Sequence, residues 1–285
     1  VPILGAGSSM ADYRIGFKWW ALIIAVVFEI SELVCVACVP ERPVACDEKP
    51  GKISDMFKAL FKNDQAMTVV VSIILVYTSL NICGNLVLYF FRFDVGNEGA
   101  YSIFAAVAFA AQVLVMMVIP LLRKRFSKSQ LFISGFIIQI AGFAVILIMA
   151  FAKLYTPQSW YILCLPGILI YLGYGMLNVI MTIFLSDSVD YGEVMNGTRE
   201  ESVVFSMQTF TVKLASGVAV FLAGLVVDWI HLDTAAAVQT QDTLDALRMW
   251  MTIPSVILLI VGIFVFKRFY KLDDTRMEEI KSKLN

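Results

Sequence analysis

Seven long apolar runs constrain this chain more than anything else in it. They cover about Phe17 to Val39, Met67 to Phe91, Tyr101 to Leu122, Leu131 to Ala152, Trp160 to Leu185, Val203 to Ile230 and Met249 to Phe266. A helix rises about 1.5 Å per residue, so each run is long enough to cross a hydrocarbon layer about 30 Å thick. With no water there to satisfy backbone groups, each is expected to be a helix. Composition agrees: 59% of residues are hydrophobic and only 16% are charged, against about 25% charged in a soluble domain. The sequence predicts an all-α, multi-pass membrane protein, and no basic block points to nucleic acid.

The basic residues predict an orientation. Arg42, Lys49, Lys52, Lys58 and Lys62 follow the first run, Arg123, Lys124, Arg125 and Lys128 follow the third, and Lys267, Arg268, Lys271, Arg276, Lys281 and Lys283 follow the last. The alternate connections hold little more than Arg92, Lys153 and Arg248. The positive-inside rule places the richer set, and with it the C-terminus, in the cytoplasm. A polar linker, Pro40 to Gly51, leads into an amphipathic stretch in which Ile53, Met56, Phe57, Leu60 and Phe61 lie opposite Lys52, Lys58 and Lys62. That pattern suits a helix resting on lipid headgroups.

The chain opens Val-Pro-Ile-Leu-Gly, with no initiator methionine, basic n-region or cleavage pattern, and an upstream part is expected. Cys35, Cys83 and Cys164 lie in apolar runs and read as small buried thiols. Cys35 and Cys38 form a C-x-x-C with no histidine nearby, so metal or redox chemistry is not expected.

Polar residues inside the runs are the candidates for function. The second run carries Tyr77, Asn81, Asn85 and Tyr89 at steps of four, and the fifth carries Tyr171, Tyr174, Asn178 and Thr182 on one face after a Pro166-Gly167 break. Such groups can serve merely to bond neighbouring helices. A third set, Gln208, Thr209 and Lys213, favours a shared polar cavity. Lys213 lies roughly 15 Å below the start of its run, near mid-membrane, where a lysine facing lipid costs at least ~2.5–3.5 kcal/mol. It must face protein or water, and Thr209, one turn away, points the same way. Glu29, about mid-depth in the first run, is expected to be neutral, paired or wet. Gln112 and Gln139 read as packing, and His231 as an interfacial residue.

Between the fifth and sixth runs comes a connection dense in charge, containing Asp187, Asp190, Tyr191, Glu193 and Arg199. Paired carboxylates could be acid–base groups, a cation site or half of a gate. No nucleophile or histidine lies near, so catalysis is disfavoured, and a membrane-embedded enzyme is the weakest of the classes considered. Salt bridges that close the cytoplasmic side are the stronger reading.

These residues resemble the glycoside-pentoside-hexuronide:cation symporters of the major facilitator superfamily. The resemblance rests on Asp187-Ser-Val-Asp190-Tyr191-Gly192-Glu193, Gly197-Thr-Arg199-Glu-Glu, Phe205-Ser206, Gln208-Thr209 and Lys213, supported by Phe57-Lys-Ala-Leu-Phe-Lys-Asn63. It implies twelve helices in two bundles of inverted three-helix repeats that rock around a central site. Residues 1–39 would then be the tail of the fifth helix and the sixth, 40–66 the middle loop, 67–268 the C-terminal six-helix bundle and 269–285 a cytoplasmic tail. The fold expected is a partial major facilitator superfamily fold, and the helices bearing the family's cation-binding aspartates and most sugar contacts are missing from it.

By the same resemblance the activity is sugar:cation symport by alternating access in the cell membrane, with no cofactor beyond co-transported sodium or protons. Gln208, Thr209, Lys213, Asn178, Tyr174, Asn81 and Asn85 would face the sugar, and Lys213 would also serve cation coupling. Asp187, Asp190, Tyr191, Glu193 and Arg199 would form the cytoplasmic gate. The expected partners are a sugar or glycoside, a monovalent cation, membrane lipid and the missing N-terminal helices, without which this chain is not expected to transport. Two alternatives stay open: a transporter of lipid-like or other small solutes on the same fold, and a non-transporting membrane sensor.

Overall fold

The computed structural model describes residues 10–38, 61–197, 199, 201–236 and 238–284. The chain divides into two units, Val1–Pro50 and Gly51–Asn285. The first contains one long helix, α1 (Met10–Cys38), in which Glu29 and Glu32 lie one turn apart. Most of the amphipathic stretch expected before the second run falls outside the described residues.

The second unit holds α2 (Asp64–Tyr89, widening into a π turn over Phe90–Asp94), α3 (Ala100–Leu122), α4 (Lys128–Phe151), α5 (Cys164–Asn196), α6 (Glu201–Trp229), α7 (Gln241–Phe269) and α8 (Asp274–Leu284). Together with α1, the six long helices α2 to α7 make seven segments long and apolar enough to cross a membrane, as the seven runs predict. No strand occurs among the described residues.

Helix starts are written locally. Asn63 caps α2 by accepting the Ala66 amide at 2.9 Å. Ser127 and Gln130 form a reciprocal capping box on α4, and Thr240 caps α7 through the Thr243 amide. Gly197, at φ 73°, adopts the left-handed conformation that ends α5.

The packing has an internal symmetry. Helix α2 packs chiefly on α7 and α6, while α5 packs chiefly on α4 and α3, and α2 also meets α5 as α4 meets α7. Exchanging α2 with α5, α3 with α6 and α4 with α7 reproduces these principal pairings. Because each repeat has three helices, an odd number, the second enters the membrane from the face opposite the first. One end of the bundle carries the basic α3–α4 turn, the α5–α6 connection and α8; it is called the basic end below.

Close approach along these pairs depends on small residues. On α6 the buried stripe Thr211, Ala215, Ala219 and Ala223 recurs every fourth position and faces α2, the spacing that lets membrane helices touch. On α5, a Cβ at Gly173 would stand 2.5 Å from the Gly135 carbonyl of α4. An aromatic core lies beneath the basic end, where Phe132 meets Phe184 at 5.1 Å and Phe266 at 4.5 Å.

Three boundaries differ from the sequence expectation. Pro166 does not break α5, because it sits in the first turn, where the missing N–H is unneeded. Helix α5 continues through Asp187, Asp190, Tyr191 and Glu193 to Asn196, so these acids are helical and the true connection is short. Arg248 lies inside α7, not in the preceding connection. The tail beyond α7 forms a further helix, α8, whose Met277 and Ile280 join Leu272 in a small apolar cluster against Tyr191 and Val194 of α5.

Candidate functional site

The polar stripes meet across three helices. Asn178 of α5 donates its amide to the Tyr77 hydroxyl of α2 at 2.5 Å, and Tyr174 stands edge-on to Tyr77 with ring centroids 5.5 Å apart. One turn along α5, Thr182 accepts from Gln208 of α6 within 3.5 Å. Tyr77, Asn178, Thr182 and Gln208 thus form a continuous polar line. Asn81 and Asn85, half-buried on the same face of α2, turn their amides back to the carbonyls of Tyr77 and Asn81, each at 2.7 Å. Their carbonyl oxygens are left for other donors, and Tyr174 is buried behind Tyr77.

Thr209 and Lys213 continue the line onto the exposed face of α6. Lys213 lies two residues from both Thr211 and Ala215, about 200° around the helix, so it points away from the stripe that packs on α2. Among the described residues it has no ion-pair partner.

The acids at the end of α5 divide into two clusters. Asp187 and Lys128, both side chains 7% exposed, form a buried ion pair. Lys128 also approaches Asp274 of α8 at 3.4 Å, as Arg123 does at 3.4 Å. Burial pushes the Asp274 carboxyl up, but Arg123 and Lys128 outweigh it and hold the group below the usual carboxylate range. Asp190 and Glu193 instead face Arg199, at 3.0 and 2.8 Å, and Glu201 meets the same guanidinium at 3.1 Å. The bond to Glu193 leads the causes that raise Arg199 above its ordinary value. Asn63 ties this end together by donating to the Ser188 carbonyl at 2.8 Å. All these bonds lie within the second unit. Tyr191 contributes its ring to the seat of α8 rather than an ion-pair contact.

Sequence reasoning missed a second charged site at the opposite end. Asp94, at the close of the π turn, accepts two bonds from Arg248 of α7, at 2.9 and 2.5 Å, and one from the Tyr155 hydroxyl at 2.5 Å. Arg248 also donates to Asp245 at 2.7 Å. The available signal was Arg248 itself, a lone cation where positive residues are otherwise scarce.

A bundle of inverted three-helix repeats with a polar line between its helices and an exposed lysine on a spanning helix defines a multi-pass membrane protein. The chain belongs to the MFS/sugar transport protein family, whose profile matches residues 1–274. It is similar to the uncharacterized symporter YjmB of Bacillus subtilis (strain 168), 25% identical over 254 residues, 88% of this chain and 54% of that protein. It is also similar to the raffinose carrier protein of Pediococcus pentosaceus, 24% identical over 284 residues, 97% of this chain and 43% of that protein. A third relative is the isoprimeverose transporter of Lactiplantibacillus pentosus, 25% identical over 276 residues, 96% and 55% respectively. The chain spans about half the length of these curated relatives.

Proposed function

We propose that the protein containing this chain is a secondary transporter that couples a sugar or glycoside to a monovalent cation, sodium or proton, by alternating access. The observation that carries the reading is the polar line from Tyr77 through Asn178 and Thr182 to Gln208, beside which Thr209 and Lys213 lie exposed on α6. A sugar needs several hydroxyl-matching donors and acceptors at mid-membrane, and this line supplies amides, hydroxyls and a phenol on three helices. Asn81 and Asn85 extend it along α2. Lys213 supplies a fixed positive charge whose balance would shift when a cation arrives or leaves. Two relatives, named for raffinose and isoprimeverose, support a saccharide as the substrate class.

The basic end faces the cytoplasm of the cell membrane in this reading, by the excess of lysine and arginine there. Asp187, Asp190, Glu193 and Arg199 then belong to the cytoplasmic gate, with Tyr191 supporting it. The helices contributing the remaining sugar and cation ligands are partners of this chain.

The test is uptake of a labelled glycoside, pentoside and hexuronide panel into vesicles carrying the full-length native product, under an imposed sodium or proton gradient. Accumulation driven by one gradient is expected and names the ion. No sugar accumulating from correctly inserted protein would overturn the reading in favour of a lipid-like solute or a sensor.

A further inference from the structure

The inverted symmetry of the second unit relates its two charged ends. Exchanging α2 with α5 and α4 with α7 carries Asp94, at the end of α2, onto Asp187, near the end of α5. Arg248, in the first third of α7, corresponds in place, though not in exact register, to Lys128 at the start of α4. The exchange also carries Tyr155, just after α4, onto Tyr270, just after α7. The surroundings correspond as well: Phe90 of α2 packs on Tyr155 with centroids 5.5 Å apart, and Phe184 of α5 packs on Tyr270 at 4.4 Å. Each end therefore presents an aspartate on the first helix of one repeat, a cation on the third helix of the other, and a tyrosine set against a phenylalanine.

The two sites are equivalent in placement and different in state. Asp94 and Arg248 are 3% and 4% exposed, and both carboxylate oxygens are engaged. Tyr155 completes the site by donating to the same carboxylate, and the Phe151 ring lies 5.8 Å from the guanidinium. At the basic end Lys128 is divided between Asp187 and Asp274, and the buried Tyr270 hydroxyl has no partner among the described residues.

We propose that Asp94, Tyr155 and Arg248 form a permanent clasp, the symmetry counterpart of the basic-end cluster, which pins α2 to α7 and holds the six-helix unit rigid while the other end rearranges. A planar guanidinium gripping a buried carboxylate on two edges is suited to that task, since leaving one partner alone in a low-dielectric site is strongly unfavourable. The rigid-body part of this proposal rests on the transport reading above; the clasp itself does not.

The experiment is a double-mutant cycle on the full-length protein in detergent, read by apparent Tm, with gradient-driven uptake measured in parallel. Asp94→Asn and Arg248→Met alone should each lower Tm by about 5–10 °C. The double variant Asp94→Asn/Arg248→Met, which strands no charge, should recover at least half of the larger loss. Should a single variant fail to insert, the same recovery is read as restored insertion in the double variant. Additive losses, or single losses no larger than those of exposed substitutions, would overturn the clasp. A double variant that is stable but no longer accumulates substrate would show a moving element and overturn its permanence. Absence of uptake in the unaltered protein would instead count against the transport reading and leave the Tm cycle to decide the clasp.

Discussion

At the end of the bundle opposite the basic loops, one buried aspartate, Asp94, gathers three donors from two neighbouring segments. At the basic end the equivalent aspartate, Asp187, has Lys128 as its side-chain donor, and that lysine is shared with Asp274 of the tail helix. The backbone symmetry is the same and the phenylalanine–tyrosine packing is the same, yet one site is saturated and the other divided. A divided site has alternative pairings of similar energy, which is what a switching element needs; a saturated one has none nearby. Fold symmetry thus sets where charge can be buried, and the partners around it decide which end can move.

The largest test of this contrast is the loss of each cation. Arg248→Met leaves Asp94 buried with Tyr155 alone and should cost about 3–5 kcal/mol. Lys128→Met should cost clearly less, because Lys128 is shared between two carboxylates and Asp274 keeps Arg123 when it is lost. Thermal scanning of the two variants side by side checks this, and equal losses would break the contrast.

A smaller effect sharpens it at the tyrosines. Burial first, then the Asp94 hydrogen bond, raises the Tyr155 hydroxyl above its ordinary pKa, so it stays protonated and donates. Tyr155→Phe should cost about 1.5–3 kcal/mol, the range for a bond to a charged group. Tyr270 is likewise raised, by burial and then by the Asp187 and Asp274 carboxylates, but its hydroxyl has no bond to lose. Tyr270→Phe should change stability by less than about 0.5 kcal/mol. A large loss at Tyr270 would show that the basic end is as closed as the other.

The smallest effect concerns pH. Asp274 has its folded pKa lowered, with Arg123 and Lys128 prevailing over burial. A depressed carboxylate contributes to α8 docking fully above its unfolded value of about 3.9 and loses that contribution as pH falls through the lower folded value. A spin label at Ser282→Cys, with the native cysteines replaced, should report rising mobility of α8 below about pH 4. In Asp274→Asn that step should vanish; an unchanged step would place the titrating group elsewhere.

Much of this arrangement is legible in the sequence. All seven spans follow from apolar run length, because a membrane admits so few backbone solutions. The convergence of Tyr77, Asn178 and Gln208 follows from their helical spacing. Helix ends are less legible: the apolar run stops at Leu185, with Asp187 and Asp190 expected at the helix end, yet each acid through Glu193 has a cation partner that lets α5 continue to Asn196. Asp94 and Arg248 lie 154 positions apart, and a contact between isolated charges at that separation leaves no local pattern. The α8 seat is the converse case, since Met277 and Ile280 show helical spacing but only the fold supplies Tyr191 and Val194 to meet them.

Lys213 is an exposed intramembrane cation on α6, four residues from Thr209. The most direct test reconstitutes the full-length protein carrying Lys213→Ala and measures sugar accumulation under a sodium or proton gradient, beside its apparent Tm. Because Lys213 is exposed on α6, the variant should insert and melt within about 2 °C of the parent, as surface substitutions do. It should also fail to accumulate sugar against a gradient. Accumulation at the parental level would contradict a role for this lysine in coupling.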